Sequence, residues 1–300
     1  MMAASIRSGL RGTLRVDEPM ARHTSWRVGG TADRYYQPAD IDDLAQFFSR
    51  LDAHEPITWV GLGSNLLVRD GGIRGTVIAT SGMLNGLSKT GDVTVRAEAG
   101  VACAKVARYC ARQSLQGAEF LAGIPGTMGG ALAMNAGAFG GETWNIVSAV
   151  QTLDHRGTIR RRLPSDYTIA YRSITGPQHE WFVAAELTLQ PGDSETAQAK
   201  IREFLNKRGD TQPTQLPNAG SVFKNPPGDY AARLIEASGL KGYCLGGACV
   251  SGKHANFIVN TGTATAADIE NLIAQVAKIV KQQHGVVLEC EVRMIGEALV

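Results

Sequence analysis

The sequence predicts an α+β protein with a C-terminal domain starting near residue 213, and three observations predict it. Strand-like and helix-like periodicities alternate along 300 residues without any internal repeat. Glycine, 35 residues in all, clusters in a few loops, above all "GLGSNLLV" (61–68) and "GIPGTMGGALAMNAGAFGGE" (123–142). The stretch "QPTQLP" (212–217) then separates one helix pattern from a new set of elements.

The elements follow in order. "ITWVGLGSNLLVRDGGIRGTVIAT" (57–80) breaks short apolar runs with glycine turns, which predicts strands. "DVTVRAEAG" continues them, with Val93, Val95 and Ala97 on one face. From Val101 to Leu115 the period changes to three to four residues, a helix. "IVSAVQTLDHRGTIRRRL" predicts a hairpin turning at His155, Arg156 and Gly157. "WFVAAELTLQ" is a further strand, and "DSETAQAKIREFLNKRG" a helix expected to stop at Gly209. Past the linker, "GDYAARLIEASG" is a helix closed by Gly239, and "GYCLGGACV" and "HANFIVN" are strands. "TAADIENLIAQVAKIVKQQHG" carries Ile269, Leu272, Ile273, Val276 and Val280 on one face, opened by Thr265 with Asp268 as an N-cap pair. The final "VVLECEVRMIG" is expected as a strand with Leu288, Cys290, Val292 and Met294 on one side.

Composition narrows the function classes. A net charge of +2 and 19% charged residues make no case for nucleic-acid or membrane partners. No run of eighteen apolar residues exists, and "MMAASIRSGLRGTLRVDEPM" has no apolar core of a secretory signal, so a cytoplasmic location is expected. Five cysteines, an odd number without tight pairing, suit a reducing compartment. Cys244, Cys249 and His254 have a ligand-like spacing but lack a fourth ligand, so no metal is expected. The run Arg160, Arg161, Arg162 alternates faces on a hairpin strand, which favours a solvated edge over a phosphate patch.

Three constellations carry chemistry. In "GLGSNLLV", Gly61 and Gly63 permit a turn that leaves the Ser64 and Asn65 amides facing an anion; a hairpin turn is the alternative. It is no Rossmann fingerprint, because the third glycine is missing and a strand follows. In the second block, seven glycines in twenty residues bring backbone close to a ligand. There Thr127 and peptide N–H groups can hold a pyrophosphate, and "ALAMN" can start a helix pointing at it. Met128, Leu132, Met134 and Phe139 argue against a solvated loop and for a buried dinucleotide. The third set is dispersed: Arg172, Ser221 and Glu291. An arginine fork suits a carboxylate or enolate, a serine hydroxyl can deliver a proton, and a glutamate in a closed pocket can stay protonated. A surface arginine, a turn serine and a strand-face glutamate remain the dull alternatives.

Taken together, "GLGSNLLV", "GIPGTMGGALAMNAGAFGGE", "YRS", "AGSVFKNP", "GGACVSGKHANFIVN" and "LECEVRMIG" resemble, in order, the UDP-N-acetylenolpyruvoylglucosamine reductase family. The likeness runs from "HTSWRVGG" at His23 to the end of the chain. It implies two N-terminal subdomains that grip FAD non-covalently, in the manner of vanillyl-alcohol oxidase flavoproteins, and a third domain over the substrate. The corresponding bounds are 1–20 for an extension, 21–85 and 86–212 for the FAD subdomains, and 213–300 for the substrate domain. By the same resemblance Gly61, Gly63, Ser64, Asn65 and Leu66 hold the FAD pyrophosphate with Gly123, Ile124, Pro125, Gly126, Thr127 and Gly130. Asn135 and Gly137 line the cofactor, Arg172 and Glu291 handle the enolpyruvyl carboxylate, and Ser221 is the proton donor. Lys224, Asn225 and His254 fall near the UDP-sugar.

The implied reaction is ping-pong and belongs to peptidoglycan precursor synthesis. NADPH gives hydride to flavin N5 and leaves. UDP-N-acetylglucosamine enolpyruvate then takes hydride at C3 and a proton from Ser221 at C2. The short interval between Arg172 and Ser221 lacks a tyrosine-bearing lid and resembles the family's second type. A monomer is favoured. The competing readings are another oxidoreductase of the same flavin fold and a flavin-free sugar-nucleotide binding protein.

Overall fold

The computed structural model describes residues 9–299. The chain divides into two compact units, each assembled from separated stretches. The first takes residues up to Val16, Arg34–Leu62 and Gly75–Asn206; the second takes Asp17–Asp33, Gly63–Arg74 and the chain from Lys207. Residues 1–8 of the expected N-terminal extension lie outside the described residues, and Thr13–Pro19 is a strand, β1.

β1 lies in a four-stranded sheet of order β1-β2-β5-β3, with β2 at Thr31–Gln37, β3 at Ile57–Val60 and β5 at Ile73–Ala79. β3 and β5 run parallel, Ile57 opposite Thr76 and Val60 opposite Ala79. Helix α1, Ile41–Phe48, follows β2; the Asp40 carboxylate caps it by accepting from the Asp43 N–H. It buries Leu44, Phe47 and Phe48 in a cluster with Tyr36, Ile78 and Leu84.

The larger sheet of the first unit has the order β12-β11-β15-β7-β6. Its strands are β6 (Leu87–Lys89), β7 (Thr94–Glu98), β11 (Val147–Asp154), β12 (Ile159–Arg162) and β15 (Glu180–Thr188). Alternation does the work predicted for it: Val95 and Ala97 are fully buried while their neighbours are not. Helix α2, Cys103–Arg112, packs Val106 and Cys110 into the same core as helix α3, Met128–Ala133. Short pairs complete the unit: β9 (Gly137–Ala138) with β10 (Gly141–Glu142), β13 (Thr168–Ala170) with β14 (Ser173–Thr175), and β8 (Leu115–Gln116) with β16 (Gln190–Pro191). The predicted hairpin is β11–β12, with Gly157 at φ 82°. Each of its three arginines meets a carboxylate: Arg160 on Asp154, Arg161 on Glu186 and Arg162 on Glu180.

Helix α4 corrects one expectation. It runs Ser194–Thr211, straight through Gly209. Two side-chain bonds span that glycine, from Thr211 Oγ1 to the Lys207 carbonyl (2.7 Å) and from Arg208 Nε to Gln212 Oε1 (3.0 Å). The stop comes instead just before Pro213, where the ring excludes further helix.

In the second unit, helix α5 (Ala231–Ala237) ends beside Gly239 at φ 70°. Helix α6 (Ala266–His284) opens on the reciprocal Thr265/Asp268 capping box and closes at Gly285 in the left-handed region. Its buried stripe of Ile269, Leu272, Ile273, Val276 and Val280 packs with Trp26, Val222 and Phe223. A three-stranded sheet, β17 (Cys244–Leu245), β18 (Ala248–Val250) and β19 (Ile258–Asn260), accompanies it. Cys244 and Cys249 face each other in register and form a disulfide, which corrects the expectation of cysteines without tight pairing. Cross-strand register, rather than sequence spacing, brings them together. Cys103, Cys110 and Cys290 remain free.

The C-terminal strand is also shorter than expected. Only Arg293–Ile295, β20, is regular, and it lies parallel to β4, Leu66–Val68, in register Arg293 opposite Leu66. Residues 289–292 run beside 222–224 instead, through a single bridge between Phe223 and Cys290.

Candidate active site

In the first unit, β3 ends at Val60 and delivers Gly61 to the loop before α3. A Cβ at Gly61 would run into the Thr127 hydroxyl, so only glycine lets the two backbones approach. Thr127, the N-cap residue of α3, is 1% exposed, and its Oγ1 makes no hydrogen bond among the described residues. Leaving a buried hydroxyl unmet costs about 1–3 kcal/mol, so this one is suited to a partner from outside the chain. A phosphate oxygen of FAD is such an acceptor, and the residues fit the group.

The loop is tied down from behind. The Met128 and Gly129 N–H groups donate to the Val101 and Ala99 carbonyls, and the Cys103 N–H to Gly126, all at 2.9 Å. Those two amides are therefore committed to the fold, and α3 starts at Met128 rather than at the expected "ALAMN". Gly130 and Pro125 are exposed, Gly123 is half-buried and Ile124 is buried. A Cβ on Gly123 would meet the Phe139 ring.

Asn135 is wholly buried at φ 46° and its amide is used inside the protein. Nδ2 donates to Glu142 Oε2 (2.9 Å) and to the Ala170 carbonyl (3.1 Å), while Oδ1 accepts from the Trp144 N–H (3.1 Å). Two residues past Ala170, Arg172 occupies the β13–β14 turn at φ 53°, a left-handed conformation unfavourable for an arginine. Its Nη2 donates to the Gly137 carbonyl at 2.9 Å, and its Cζ lies 5.5 Å from the Tyr171 ring centroid. A Cβ on Gly137 would sit 2.6 Å from the Gly141 carbonyl oxygen and 3.4 Å from Arg172 Nη1. Gly137 is thus small because the Gly141 backbone lies against it, while its own carbonyl holds the Arg172 tip.

In the second unit, Gly63 adopts φ 63°, and its carbonyl accepts the Ser25 N–H at 3.1 Å. Ser64, Asn65 and Leu66 are half-buried. Asn65 reaches the far end of the sequence: its Nδ2 donates to the Glu291 carbonyl (3.2 Å), and its own carbonyl accepts the Arg293 N–H (3.0 Å). The Glu291 N–H in turn donates to the Val222 carbonyl at 2.7 Å. The residue next to Ser221 and the backbone of Glu291 are therefore bonded, with Asn65 on the other side of Glu291.

Ser221 itself is half-buried and follows Gly220 at φ 75°. Lys224 donates its N–H to the Glu289 carbonyl at 2.9 Å and points its ammonium at the Glu289 carboxylate, 3.4 Å away. Asn225 accepts the Ala231 N–H of α5 through Oδ1 at 3.1 Å. His254 packs edge-on to Phe257; burial, reinforced by the charge of Lys241, lowers its pKa and favours the neutral ring. Sequence reasoning missed half-buried Glu142 and buried Asn256, the polar residues that hold these segments.

Known proteins match both parts of the chain. Residues 32–162 match a family model described as an FAD binding domain, and residues 212–295 match the UDP-N-acetylenolpyruvoylglucosamine reductase C-terminal domain. The chain is 60% identical to the UDP-N-acetylenolpyruvoylglucosamine reductase of Alkalilimnicola ehrlichii over 99% of both chains. It is 59% identical to that of Methylococcus capsulatus, over 99% of this chain and 97% of the relative. The crystal structure of the enzyme from Thermus caldophilus superposes with a TM-score of 0.78 at 31% identity, covering 95% of this chain and 99% of that one. With an FAD-binding part, a reductase C-terminal part and full-length relatives, the chain belongs to the UDP-N-acetylenolpyruvoylglucosamine reductase family and is an FAD-dependent oxidoreductase.

Proposed function

We propose that the protein reduces UDP-N-acetylglucosamine enolpyruvate to UDP-N-acetylmuramate, with NADPH as the hydride donor, in the cytoplasm. In this reading 21–85 and 86–212 bind the cofactor and 213–300 the sugar nucleotide. The observation that supports it is the hydrogen-bonded run from Asn65 through Glu291 to Val222, which sets a flavin-loop residue, a carboxyl and the Ser221 segment on one backbone framework.

FAD, when bound, supplies the two-electron hydride chemistry. The rest falls to side chains. Hydride addition at C3 of the enol ether breaks its double bond and leaves an electron pair at C2, delocalised into the carboxylate. Arg172 offers a charged fork to those oxygens, and charge accumulates there only after hydride arrives, so the fork favours the transition state over the substrate. Glu291 serves the same carboxylate. The Ser221 hydroxyl gives its proton to C2, completing the lactyl ether, and is reprotonated from solvent. Lys224 faces the Glu289 carboxylate at 3.4 Å and lies near the sugar nucleotide in this reading.

Ser221→Ala tests this. Flavin bleaching by NADPH, followed near about 450 nm, should stay intact, while reoxidation by the enolpyruvyl sugar slows by about 10²–10⁴-fold, the range of general-acid contributions. Equal slowing of both half-reactions would overturn the proton-donor role.

A further inference from the structure

We infer that Asn256 is a positioning residue for Ser221, an inference that rests on the proton-donor reading above. Asn256 is 4% exposed, and its amide pairs with both main-chain groups of Phe223. Oδ1 accepts the Phe223 N–H at 3.0 Å and Nδ2 donates to the Phe223 carbonyl at 2.8 Å. The Asn256 carbonyl also accepts the Val222 N–H at 2.9 Å. Three bonds thus fall on the two residues directly after Ser221.

This arrangement does what a neighbouring β-strand would do, in a segment that has no regular strand on that side. The other edge is held by the Glu291 N–H on the Val222 carbonyl (2.7 Å) and the Lys224 N–H on the Glu289 carbonyl (2.9 Å). Before Ser221 comes Gly220 at φ 75°, whose N–H donates to the Asn218 side chain two residues earlier (3.0 Å), a local turn contact, whereas the bonds after Ser221 reach residues more than thirty positions away. The orientation of the hydroxyl is therefore set from the C-terminal side, by Val222 and Phe223 and by what clamps them. Protonating one carbon demands accurate placement, and a displacement of about 1 Å can cost about 10²-fold.

The side-chain chemistry is specific. Aspartate has the same shape but cannot donate to the Phe223 carbonyl, and it sets a carboxylate oxygen against that carbonyl instead. Asn256→Asp should leave flavin loading and bleaching by NADPH within about twofold, and slow reoxidation by the enolpyruvyl sugar by about 10–100-fold. In a Ser221→Ala background the same change should slow reoxidation by no more than about twofold, because there is no hydroxyl left to misplace. Should Asn256→Asp fail to load flavin, Asn256→Ser is measured in the same four-way comparison. Equal slowing in both backgrounds, slowing of the NADPH step, or no slowing at all when Ser221→Ala does slow it, overturns the positioning role alone. Unimpaired reoxidation in Ser221→Ala overturns the proton-donor reading and this inference with it. Loss of flavin in both Asn256 variants shows a structural role and overturns the inference.

Discussion

The Arg172 turn and the Ser221 segment are supported by similar means and surrounded by different ones. Each leans on a buried asparagine: Asn135 bonds the Ala170 carbonyl two residues before Arg172, and Asn256 bonds Phe223 two residues after Ser221. Around Ser221 the flanking side chains are core, with Val222 and Phe223 at 1% and 2% exposure. Around Arg172 they are solvent-facing, with Tyr171 at 49% and Ile169 at 39%. The lesson is one of lever arms. A short serine inherits the position of its backbone, so the backbone is locked into a core. A long arginine is instead anchored near its tip, at the Gly137 carbonyl, and its backbone accepts a left-handed turn.

The largest expected effect breaks the arginine side. Arg172→Ala should lower turnover by about 10²–10³-fold, the scale for removing one transition-state donor. Arg172→Gly should be as inactive yet about 1 kcal/mol more stable to urea than Arg172→Ala, because glycine accepts φ 53°. If the two variants unfold at the same urea concentration, the turn is not strained.

Gly137→Ala attacks the anchor without touching the guanidinium. The added Cβ crowds the Gly141 carbonyl and shifts the backbone that anchors Arg172, so stability should fall by about 1–3 kcal/mol and turnover by about tenfold. Unchanged turnover would mean that the tip contact is incidental. A milder pair measures the surroundings. Val222→Ala should cost about 2 kcal/mol, whereas Ile169→Ala should stay within about 0.5 kcal/mol. Equal costs in denaturant melts would erase the contrast between core-locked and solvent-facing mounts.

The smallest effect concerns acid. The Arg162 hydrogen bond holds the Glu180 carboxyl below its ordinary value, and the Arg69 bond does the same for Glu270. A depressed carboxyl adds stability above its unfolded pKa, about 4.3, and that stability is lost as pH falls through the lower native value. Arg162→Gln and Arg69→Gln should each flatten the acid limb of the stability curve. Arg162→Gln should do so more, since Glu180 is 7% exposed and Glu270 31%. An acid limb unchanged by either variant would deny these pairs a role.

Much of the fold was legible because its signals are local. The Thr265/Asp268 box, the apolar stripe of α6 and the β11–β12 turn each lie within a few residues of what they specify. The misreadings share a cause at longer range. Gly209 reads as a stop until the side chains that bridge it are seen. Cys244 and Cys249 pair only through strand register. Within the site, the glycine loops were readable from composition, and the family resemblance singled out Arg172, Ser221 and Glu291. Asn256 was invisible because its partner, Phe223, lies 33 residues earlier and the contact is with backbone, which leaves no trace in side-chain pattern.

The grip of Asn65 on Glu291 also constrains how the protein is made. Residues 65–68 find their main-chain partners at 291–295, with Asn65 and Glu291 lying 226 residues apart in the chain. Such non-local pairing is slow to form and leaves early segments exposed meanwhile. The glycine turn at 63–66 therefore stays half supported until that distant segment arrives. Completion of that turn is therefore a late, long-range event in folding, set by segments 226 residues apart.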